Sequence, residues 1–393
     1  MKPRALILYP QVAWPAETGS LQRVEAVRKW LAQQMSVSLV TPSFAIHPDR
    51  VGQPPYEHVF AHIGSIRQTK TPALVRKFKG RMGYYWARNA GLNEKCSRDT
   101  RIDEVFRYRR VLRQLRPSLV FCEYVSQLPN LYVARGKLPI SIVLDTHDII
   151  WRRQQHEVEL GLIAKAGITQ AEEAYLWSLA DLVVGIQPEE AAEIASLLPG
   201  KPVISVPQAY EPRFVNPARK EAHRLLFVGS KARPNVNALE AFLQTTWPAL
   251  KARHPHLQLD VCGTVCGTLE AGLLASEGVA FHGRVEDLEP FYARAALVIN
   301  PMLYGSGLKI KNVEALSYGK ALLTSPVGAQ GMDLPSGIAA VEPKHFGGKI
   351  SEIMLSPETL ARWEKDCRNF FLATYTPEAC FAPLAQWLQQ QSL

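Results

Sequence analysis

The sequence of 393 residues lacks any apolar run near the roughly 20 residues that a membrane-spanning helix requires. Its apolar runs are short, and the first covers residues 5–9 and ends at Pro10. No small-residue cleavage site follows it, so this run is predicted to be a buried strand and not the core of a secretory signal. With 47% hydrophobic and 21% charged residues, the chain has the composition of a globular protein large enough for two domains.

The sequence is also poor in groups that indicate a metal site. Cys262 and Cys266 are spaced C-x3-C, but no second cysteine pair or histidine pair accompanies them, so no structural zinc is expected. An Asp-x-Asp motif is absent from the sequence. We therefore expect neither a divalent metal nor another cofactor. The six cysteines require no disulfide, which is compatible with a reducing cytoplasm.

Positive charge is concentrated in one region. The chain has a formal net charge of +9, and the segment 67–116 holds fifteen Lys and Arg against four Asp and Glu, which favours an anionic partner. Within it, apolar side chains follow one helical face with basic side chains around them, a pattern typical of an amphipathic helix on an anionic membrane surface. The apolar residues are Leu74, Phe78, Met82, Tyr85 and Trp86, and the basic residues are Arg76, Lys77, Lys79 and Arg81.

The basic segment has two other possible interpretations. A solvated basic helix packed on the core would show the same pattern, and this alternative stays open. Nucleic acid is not an expected partner, because the sequence carries no signature of a nucleic-acid-binding module.

Short β-branched runs alternate with helical patterns through both halves of the chain. Several runs are apolar almost throughout, as buried parallel strands are, so the alternation predicts two doubly wound, Rossmann-like sheets. The predicted boundaries are a first domain at 1–207, a linker at 208–220, a second domain at 221–374 and a tail helix at 375–393 that packs back on the first domain. Strands are predicted at 5–9, 37–40, 119–122, 140–144, 182–186 and 203–206, then at 225–228, 257–261, 279–282, 297–300, 321–324 and 338–341.

The segment 300–319 combines a strand end, a glycine-containing loop and a helix. Gly305 and Gly307 let the main chain approach a ligand closely. The helix that follows offers free N–H groups and the positive end of its dipole, which suits phosphate, and Lys309 and Lys311 add two positive charges there. Glu314, one turn further on, can accept hydrogen bonds from a ribose diol. An ordinary loop and helix with solvated lysines is the simpler alternative.

Residues 305–320 resemble a known motif, G-x-G-x-[KR]-x-K-x-x-E-A-[LM]-[AS]-x-G-K, at nearly every position. It is carried by the retaining glycosyltransferases of the GT-B fold, family-4 type. The resemblance implies two Rossmann-like domains facing each other across a cleft, with the donor bound by the second domain and the acceptor by the first. It implies that Glu314 binds the ribose. The family often has a further Glu eight residues earlier, and here that position is Ser306, so its role passes to Ser306 or to the main chain around it.

Other segments extend the resemblance over most of the chain. It implies donor contacts at glycine turns and strand ends and places His147, which follows a strand in Asp-Thr-His-Asp148, beside the transferred sugar. Each of these residues could instead be an ordinary turn or capping group, and Arg23 could serve an anion. The implied donor residues are Gly19, Gly229, Ser230, Gly263, Arg284, Val285, Gly305, Ser306, Gly307 and Leu308; the catalytic residues are His147, Lys309, Lys311 and Glu314; the acceptor-side candidates are Glu123, Asp148 and Arg152.

The resemblance predicts a hexosyltransferase that moves a sugar from a UDP- or GDP-linked donor to a glycan or lipid-linked acceptor, with retention of the anomeric configuration. Polysaccharide biosynthesis at the inner face of the membrane is the expected setting. Two alternatives remain: a sugar-nucleotide epimerase of the same fold, and, from a different class, a two-domain solute-binding protein. The second would predict an export signal and no Lys/Lys/Glu cluster.

Overall fold

The structure is a computed structural model that describes residues 2–9, 19–40, 73–159, 161, 163–305, 308–335 and 340–393. The chain forms two compact units. The first contains Met1–Pro207 together with Phe381–Leu393, and the second contains Gln208–Cys380.

The first unit is built on a six-stranded parallel sheet. Its strands are apolar along most of their length and are covered on both faces, as the sequence predicts for parallel strands. The strand order is β2-β1-β3-β4-β5-β6, formed by β1 (Arg4–Leu8), β2 (Ser36–Val40), β3 (Leu119–Glu123), β4 (Ser141–Asp145), β5 (Leu182–Gly185) and β6 (Val203–Ser205).

Helices cover this sheet. The connections contain α1 (Gly19–Gln34), α2 (Ala73–Asn89), α3 (Glu94–Asp99), α4 (Ile102–Leu115), α5 (Leu128–Arg135), α6 (Ile150–Glu159), α7 (Gln170–Ser178) and α8 (Pro188–Leu197). Thr169 and Glu172 form a capping box at the start of α7, which explains why the helix begins there. In α4 the buried side chains recur at helical spacing, so that one face joins the core; they are Ile102, Val105, Tyr108 and Leu112.

The second unit has a five-stranded parallel sheet. Its order is β11-β10-β7-β8-β9, from β7 (Arg224–Val228), β8 (Gln258–Cys262), β9 (Val279–Gly283), β10 (Leu297–Asn300) and β11 (Ala321–Thr324). Its helices are α9 (Arg233–Ala241), α10 (Trp247–Arg253), α11 (Ala271–Leu274), α12 (Glu289–Arg294), α13 (Ile310–Ser317), α14 (Phe346–Leu355) and α15 (Pro357–Thr374); α16 (Pro377–Gln390) runs from this unit into residues of the first.

Two predicted elements differ from the structure. Of the strand predicted at 338–341, residues 338 and 339 lie outside the described residues, and Ala340 forms only an isolated bridge to Thr324. The predicted apolar stripe of α2 does not face one way: Met82 and Trp86 pack against the core, whereas Phe78 and Tyr85 are exposed. Packing against α4 divides the stripe, and helical spacing alone does not show this. The side chains of Leu74, Arg76 and Lys77 lie outside the described residues.

In α16, the three apolar residues that the sequence places on one stripe are buried: Leu384, Trp387 and Leu388. Phe381 on the same helix stacks on Trp30 of α1, with ring centroids 4.9 Å apart.

Candidate functional site

Glycines end three neighbouring strands of the second unit. Gly229 follows β7 and donates its N–H to the carbonyl of Cys262 (3.0 Å), and Gly263 follows β8 and donates to the carbonyl of Gly283 (2.7 Å). At Gly263 φ is 108°, and a Cβ would lie 2.1 Å from the carbonyl oxygen of Gly229. The two main chains therefore lie side by side only because this position has no side chain.

The two lysines of the motif lie at the start of α13, next to these strand ends. Lys309 is the N-cap of α13, and Lys311 is in its first turn. The Lys311 Nζ donates to Oδ1 of Asn235 (2.8 Å) and lies 5.0 Å from the centre of the Phe227 ring. Asn235, near the start of α9, in turn donates to the Ser230 hydroxyl (3.0 Å). The structure thus brings together the lysine pair, the turn after β7 and the first turn of α9.

Burial determines the electrostatics of this pair. It lowers the pKa of Lys311 to about 7, and the positive charge of Lys309 adds to the shift. Burial alone lowers the pKa of Lys309 to about 8. Among the described residues no carboxylate lies within ion-pair distance of Lys311. Two cations at the positive end of a helix, partly removed from water, favour an anionic ligand, since such a ligand restores the charged state of both.

Glu314 lies further along α13, inside an aromatic cluster. The Tyr292 hydroxyl, with no exposed surface, donates to Oε2 of Glu314 (3.3 Å), and Tyr292 stacks on Tyr318 with ring centroids 4.3 Å apart. Burial raises the pKa of the Glu314 carboxyl, an effect that the Tyr292 hydrogen bond and the Arg213 charge oppose. The carboxyl is thus held in one orientation by Tyr292, and its second oxygen, Oε1, remains to accept hydrogen bonds from a diol.

A buried amide anchors the N-terminal turn of α13. Asn312 accepts from the Asn300 side chain (2.7 Å) at the end of β10 and donates to the Gly328 carbonyl (2.8 Å). It also donates to the Thr324 hydroxyl (3.3 Å) at the end of β11. These bonds fix the helix to two strand ends, so the two lysines that precede Asn312 have a rigid support.

The remaining donor-side predictions have different locations. Gly305 has φ of 130°, a conformation that glycine adopts readily, whereas Ser306 and Gly307 lie outside the described residues. Leu308 packs against the core of the second unit, as Val285 does, so any contact these two make with a ligand comes chiefly from the main chain. Arg284 follows β9, and its side chain is exposed.

In the first unit, Arg23 and Asp145 form a buried ion pair at the carboxyl end of the sheet. The Arg23 Nε and Nη2 lie 2.6 and 3.0 Å from the two carboxylate oxygens of Asp145, and Nη1 donates to the Val206 carbonyl (2.8 Å). Arg23 is only 2% exposed. The sequence suggested that Arg23 could serve an anion, and in the structure the anion is Asp145.

His147 lies beside this pair. Its Nε2 is 2.6 Å from Oε2 of Glu123, the last residue of β3, and its ring stacks on Tyr124 with centroids 4.1 Å apart. Burial raises the pKa of the Glu123 carboxyl, as does the charge of Asp145, while His147 and Arg23 oppose the shift. Glu123, Asp145 and His147 each offer a ligand atom within 4.8 Å of the others. Arg23 occupies both oxygens of Asp145, so these groups form an ion-paired network in which Asp145 is already neutralised.

The other acceptor-side residues are linked through salt bridges in the same unit. Arg153 lies 2.8 Å from Asp148, and Arg152 pairs with Glu193. Burial raises the pKa of Glu190 to about 7, and the negative charge of Asp148 adds to the shift. Arg152 is therefore paired with α8, which limits its reach toward an acceptor.

Gly19 is the first residue of α1, and the residue after it has two tyrosine neighbours. The Ser20 hydroxyl lies 3.4 Å from the Tyr9 hydroxyl and is also hydrogen-bonded to that of Tyr124. Burial raises the pKa of Tyr124 to about 12, so this phenol stays protonated at neutral pH. The start of α1 is thus connected through Tyr124 to the ring of His147.

Sequence reasoning missed three residues that hold these side chains. Asp145 stands two positions before His147 at a strand end, a placement that could have indicated a charged partner. Asn312 lies between the lysines and Glu314, where a buried amide on a helix is an unusual choice. Tyr292 is 22 residues before Glu314, and no sequence signal links the two.

Comparison with known proteins gives a family match for part of the second unit. Residues 222–354 match the family described as Glycosyl transferases group 1. An "Uncharacterized 44.6 kDa protein in cps region" of Klebsiella pneumoniae is 27% identical over 116 residues, which are 27% of this chain and 30% of that protein. The chain thus aligns with less than a third of the length of this relative.

Solved structures resemble the chain over nearly its whole length. Sucrose-phosphate synthase from Thermosynechococcus elongatus has a TM-score of 0.68 at 15% identity, covering 99% of both chains. Anabaena HepE in complex with UDP-glucose has a TM-score of 0.64 at 12% identity, covering 99% of this chain and 100% of the other. The apo form of the lipopolysaccharide outer core galactosyltransferase WaaB has a TM-score of 0.61 at 13% identity, covering 99% of both. At these identities the likeness establishes the fold.

These comparisons confirm the predicted fold, and the family that matches residues 222–354 is one of glycosyl transferases, as the sequence predicts. In the described part of the chain, no helix combines the length and the apolar character needed to span a membrane. The chain has the GT-B fold, and its residues 222–354 match the family described as Glycosyl transferases group 1.

Proposed function

We propose that the chain transfers a sugar from a nucleoside diphosphate sugar, bound by the second unit, to a hydroxyl of a glycan or lipid-linked acceptor, with retention of configuration. The observation that carries the proposal is the partly buried pair Lys309 and Lys311 at the N-terminus of α13. Their lowered pKa values and the helix dipole favour a diphosphate. Glu314, oriented by Tyr292, is positioned to accept hydrogen bonds from the ribose diol.

In this proposal the lysines act on the leaving group. As the bond between the anomeric carbon and the phosphate oxygen breaks, negative charge develops on the diphosphate, and fixed positive groups stabilise it. The acceptor oxygen attacks the same face of the sugar, and its proton passes to the departing phosphate oxygen. A uridine nucleotide is the first donor to test, because HepE, a protein of the same fold, is described in complex with UDP-glucose.

A thermal-shift screen against UDP, GDP and their sugars tests the donor site, since a ligand that binds the native state raises its melting temperature. We expect one of the two nucleotide series to stabilise the protein. Lys311→Met should weaken binding of that nucleotide about 10- to 100-fold, because it removes a charge-assisted contact to phosphate. Lys344→Met removes an exposed lysine of the same unit and should leave the affinity unchanged.

Absence of any shift, or equal affinity in Lys311→Met and Lys344→Met, would refute the donor site. Incubation of the donor without acceptor separates transfer from epimerisation: a changed sugar on an intact nucleotide would mean an epimerase.

We further propose that the basic region 67–116 associates with an anionic membrane surface. A groove of about 740 Å³ between α2 and α4 supports this; residues 67–72 lie outside the described part. The exposed aromatic side chains of these two helices are Phe78 (66%), Tyr85 (64%) and Phe106 (47%). Aromatic and cationic groups together suit the headgroup region of a bilayer. The groove is lined by Trp86, Phe106, Arg109, Arg110, Arg113 and Gln114.

Sedimentation with phosphatidylglycerol vesicles tests this surface. Arg110→Glu with Arg113→Glu should release the protein from anionic vesicles, since each basic residue near the surface contributes about 1 kcal/mol of attraction. Arg362→Glu with Lys365→Glu makes the same charge change on the exposed face of α15 and should leave binding intact. Equal sedimentation of both double variants would contradict the proposal.

A further inference from the structure

His147 is held from two sides by residues at the end of β3. Its Nε2 lies 2.6 Å from Oε2 of Glu123, a residue with no exposed surface. Its ring lies parallel to that of Tyr124, with the planes 12° apart. Tyr124 and His147 both have positive φ, 71° and 61°. Side-chain-bearing residues rarely adopt this conformation, and such strain is found where the surrounding structure imposes one side-chain position.

We infer that Glu123 and Tyr124 are positioning residues that present His147 as an imidazolium. Its Nε2–H is donated to Glu123, which leaves Nδ1–H to donate to an oxygen of a sugar or phosphate ligand. The inference rests on the glycosyl transfer proposed above and deepens it. It gives Glu123 a different role from the acceptor contact that the sequence suggested, because Glu123 is fully buried whereas the side chain of His147 keeps 8% of its surface exposed.

The charges around the imidazole support this state. Glu123 comes from β3, Asp145 from β4, Asp148 from the loop that follows, and Arg23 from α1. Arg23 neutralises Asp145 in a bidentate pair, so the carboxylate of Glu123 depends on His147 for its counter-charge. A buried carboxylate without a cation is costly, and an imidazolium removes that cost.

The hydrogen bonding of the Glu123 carboxyl group also supports a protonated His147. In the described part of the chain its second oxygen, Oε1, has no hydrogen-bond partner, so the bond to His147 is the contact that satisfies this carboxyl group. Burial lowers the pKa of His147, but the charges of Asp145 and Glu123 outweigh burial, and the pKa is raised above its ordinary value. Stacking on Tyr124 keeps the ring from turning Nε2 away from Glu123.

Titration of His147 tests the inference without a substrate. In protein carrying ¹⁵N-labelled histidine, the His147 resonances can be identified among those of the ten histidines by comparison with His147→Asn. We expect both ring nitrogens of the wild-type residue to be protonated at neutral pH. In Glu123→Gln the amide oxygen still accepts Nε2–H but carries no charge, so the midpoint should move to lower pH.

A matched control is available in the same unit. Glu173 is equally buried, but its carboxylate accepts hydrogen bonds from the N–H groups of Ile150 and Trp151. Glu173→Gln should therefore leave the His147 midpoint in place, even if it lowers stability. An unchanged midpoint in Glu123→Gln, or a wild-type imidazole with one unprotonated nitrogen at neutral pH, would overturn the inference. If Glu123→Gln fails to fold, the wild-type spectrum alone decides.

Kinetics with the nucleotide sugar found in the screen provide the second test. Glu123→Gln should lower kcat about 10-fold with little change in KM. As the pH is raised, its activity should be lost at a lower pH than that of the wild type, because the His147 imidazolium loses its proton earlier. Tyr124→Phe keeps the stacked ring and should retain more activity than Tyr124→Ala. A kcat in Glu123→Gln equal to the wild-type value contradicts the positioning role. If His147 titrates as expected but no nucleotide binds in the screen, that result would count against the proposed donor and not against the positioning role of Glu123.

Discussion

The two clusters at the sheet ends of this protein treat charge in opposite ways. In the cluster of the first unit, Arg23 pairs with Asp145 and Glu123 pairs with His147. In the second unit two like charges, Lys309 and Lys311, lie close together, and burial lowers the pKa of both. A neutralised network holds side chains in fixed positions, whereas two buried charges of like sign favour an incoming anion. We therefore expect the cluster of the first unit to hold side chains in fixed positions and that of the second unit to bind an anion.

The largest expected effect comes from breaking the neutral network. Asp145→Ala leaves the guanidinium of Arg23 buried without its carboxylate and should reduce the free energy of unfolding by about 3–5 kcal/mol. Chemical denaturation followed by circular dichroism measures this. The double variant Arg23→Met with Asp145→Leu should recover much of the loss, because an apolar pair of similar volume leaves no charge uncompensated. If Asp145→Ala alone is as stable as the wild type, Arg23 does not depend on Asp145 for neutralisation, and the contrast between the two clusters fails.

The pH dependence of nucleotide binding should sharpen the comparison. Lys311 and Lys309, with pKa values of about 7 and about 8, are both charged at pH 6 and largely neutral at pH 9. A bound diphosphate favours the charged forms, so binding should take up protons and weaken at least about tenfold from pH 6 to pH 9. Calorimetry in buffers of different ionisation enthalpy measures the uptake. Affinity that is constant over this range would show that the lysines do not contact the phosphate.

The lowered pKa values of Lys311 and Lys309 also affect the stability of the folded protein. Stability should rise with pH, whereas nucleotide affinity should fall. A lysine whose folded pKa is lowered disfavours the folded state while it is charged. Between about pH 7 and the ordinary lysine value near 10, the unfolded chain binds more protons than the folded one, so stability should rise with pH. This gain should be smaller in Lys311→Met, where only the lowered pKa of Lys309 still contributes, and denaturation at pH 7 and pH 9 would test this.

A smaller effect is expected from Tyr292. Tyr292→Phe removes the hydroxyl that donates to Glu314 and keeps the ring that stacks on Tyr318. The carboxyl then loses one orienting hydrogen bond, and the affinity for the nucleotide should fall about 3- to 10-fold. Isothermal titration of the nucleotide measures this. Tyr304→Phe, which removes a hydroxyl that accepts from Asn237 on α9, is the matched control and should have a smaller effect.

Most strands were predictable because parallel strands covered on both faces are apolar throughout. The predicted runs at 297–300 and 321–324 coincide with β10 and β11, and the other described strands differ from prediction by one residue at one or both ends. The amphipathic pattern of α2 was also predictable, but its orientation was not. The helical period shows which residues share a face, and only tertiary packing, including the contact of Trp86 with Phe106 of α4, decides that Met82 and Trp86 turn inward.

The sequence by itself determined the α/β class, the two series of strands and the Gly-Lys-Lys-Glu segment, because each depends on residues close together in the chain. Only the tertiary structure decided which charges are neutralised. Arg23 meets Asp145 across 122 positions, Lys311 meets Asn235 across 76, and Tyr292 meets Glu314 across 22. Such pairs form when strand order brings distant segments to one sheet edge, and burial there then shifts the pKa of Lys311 and of Glu314.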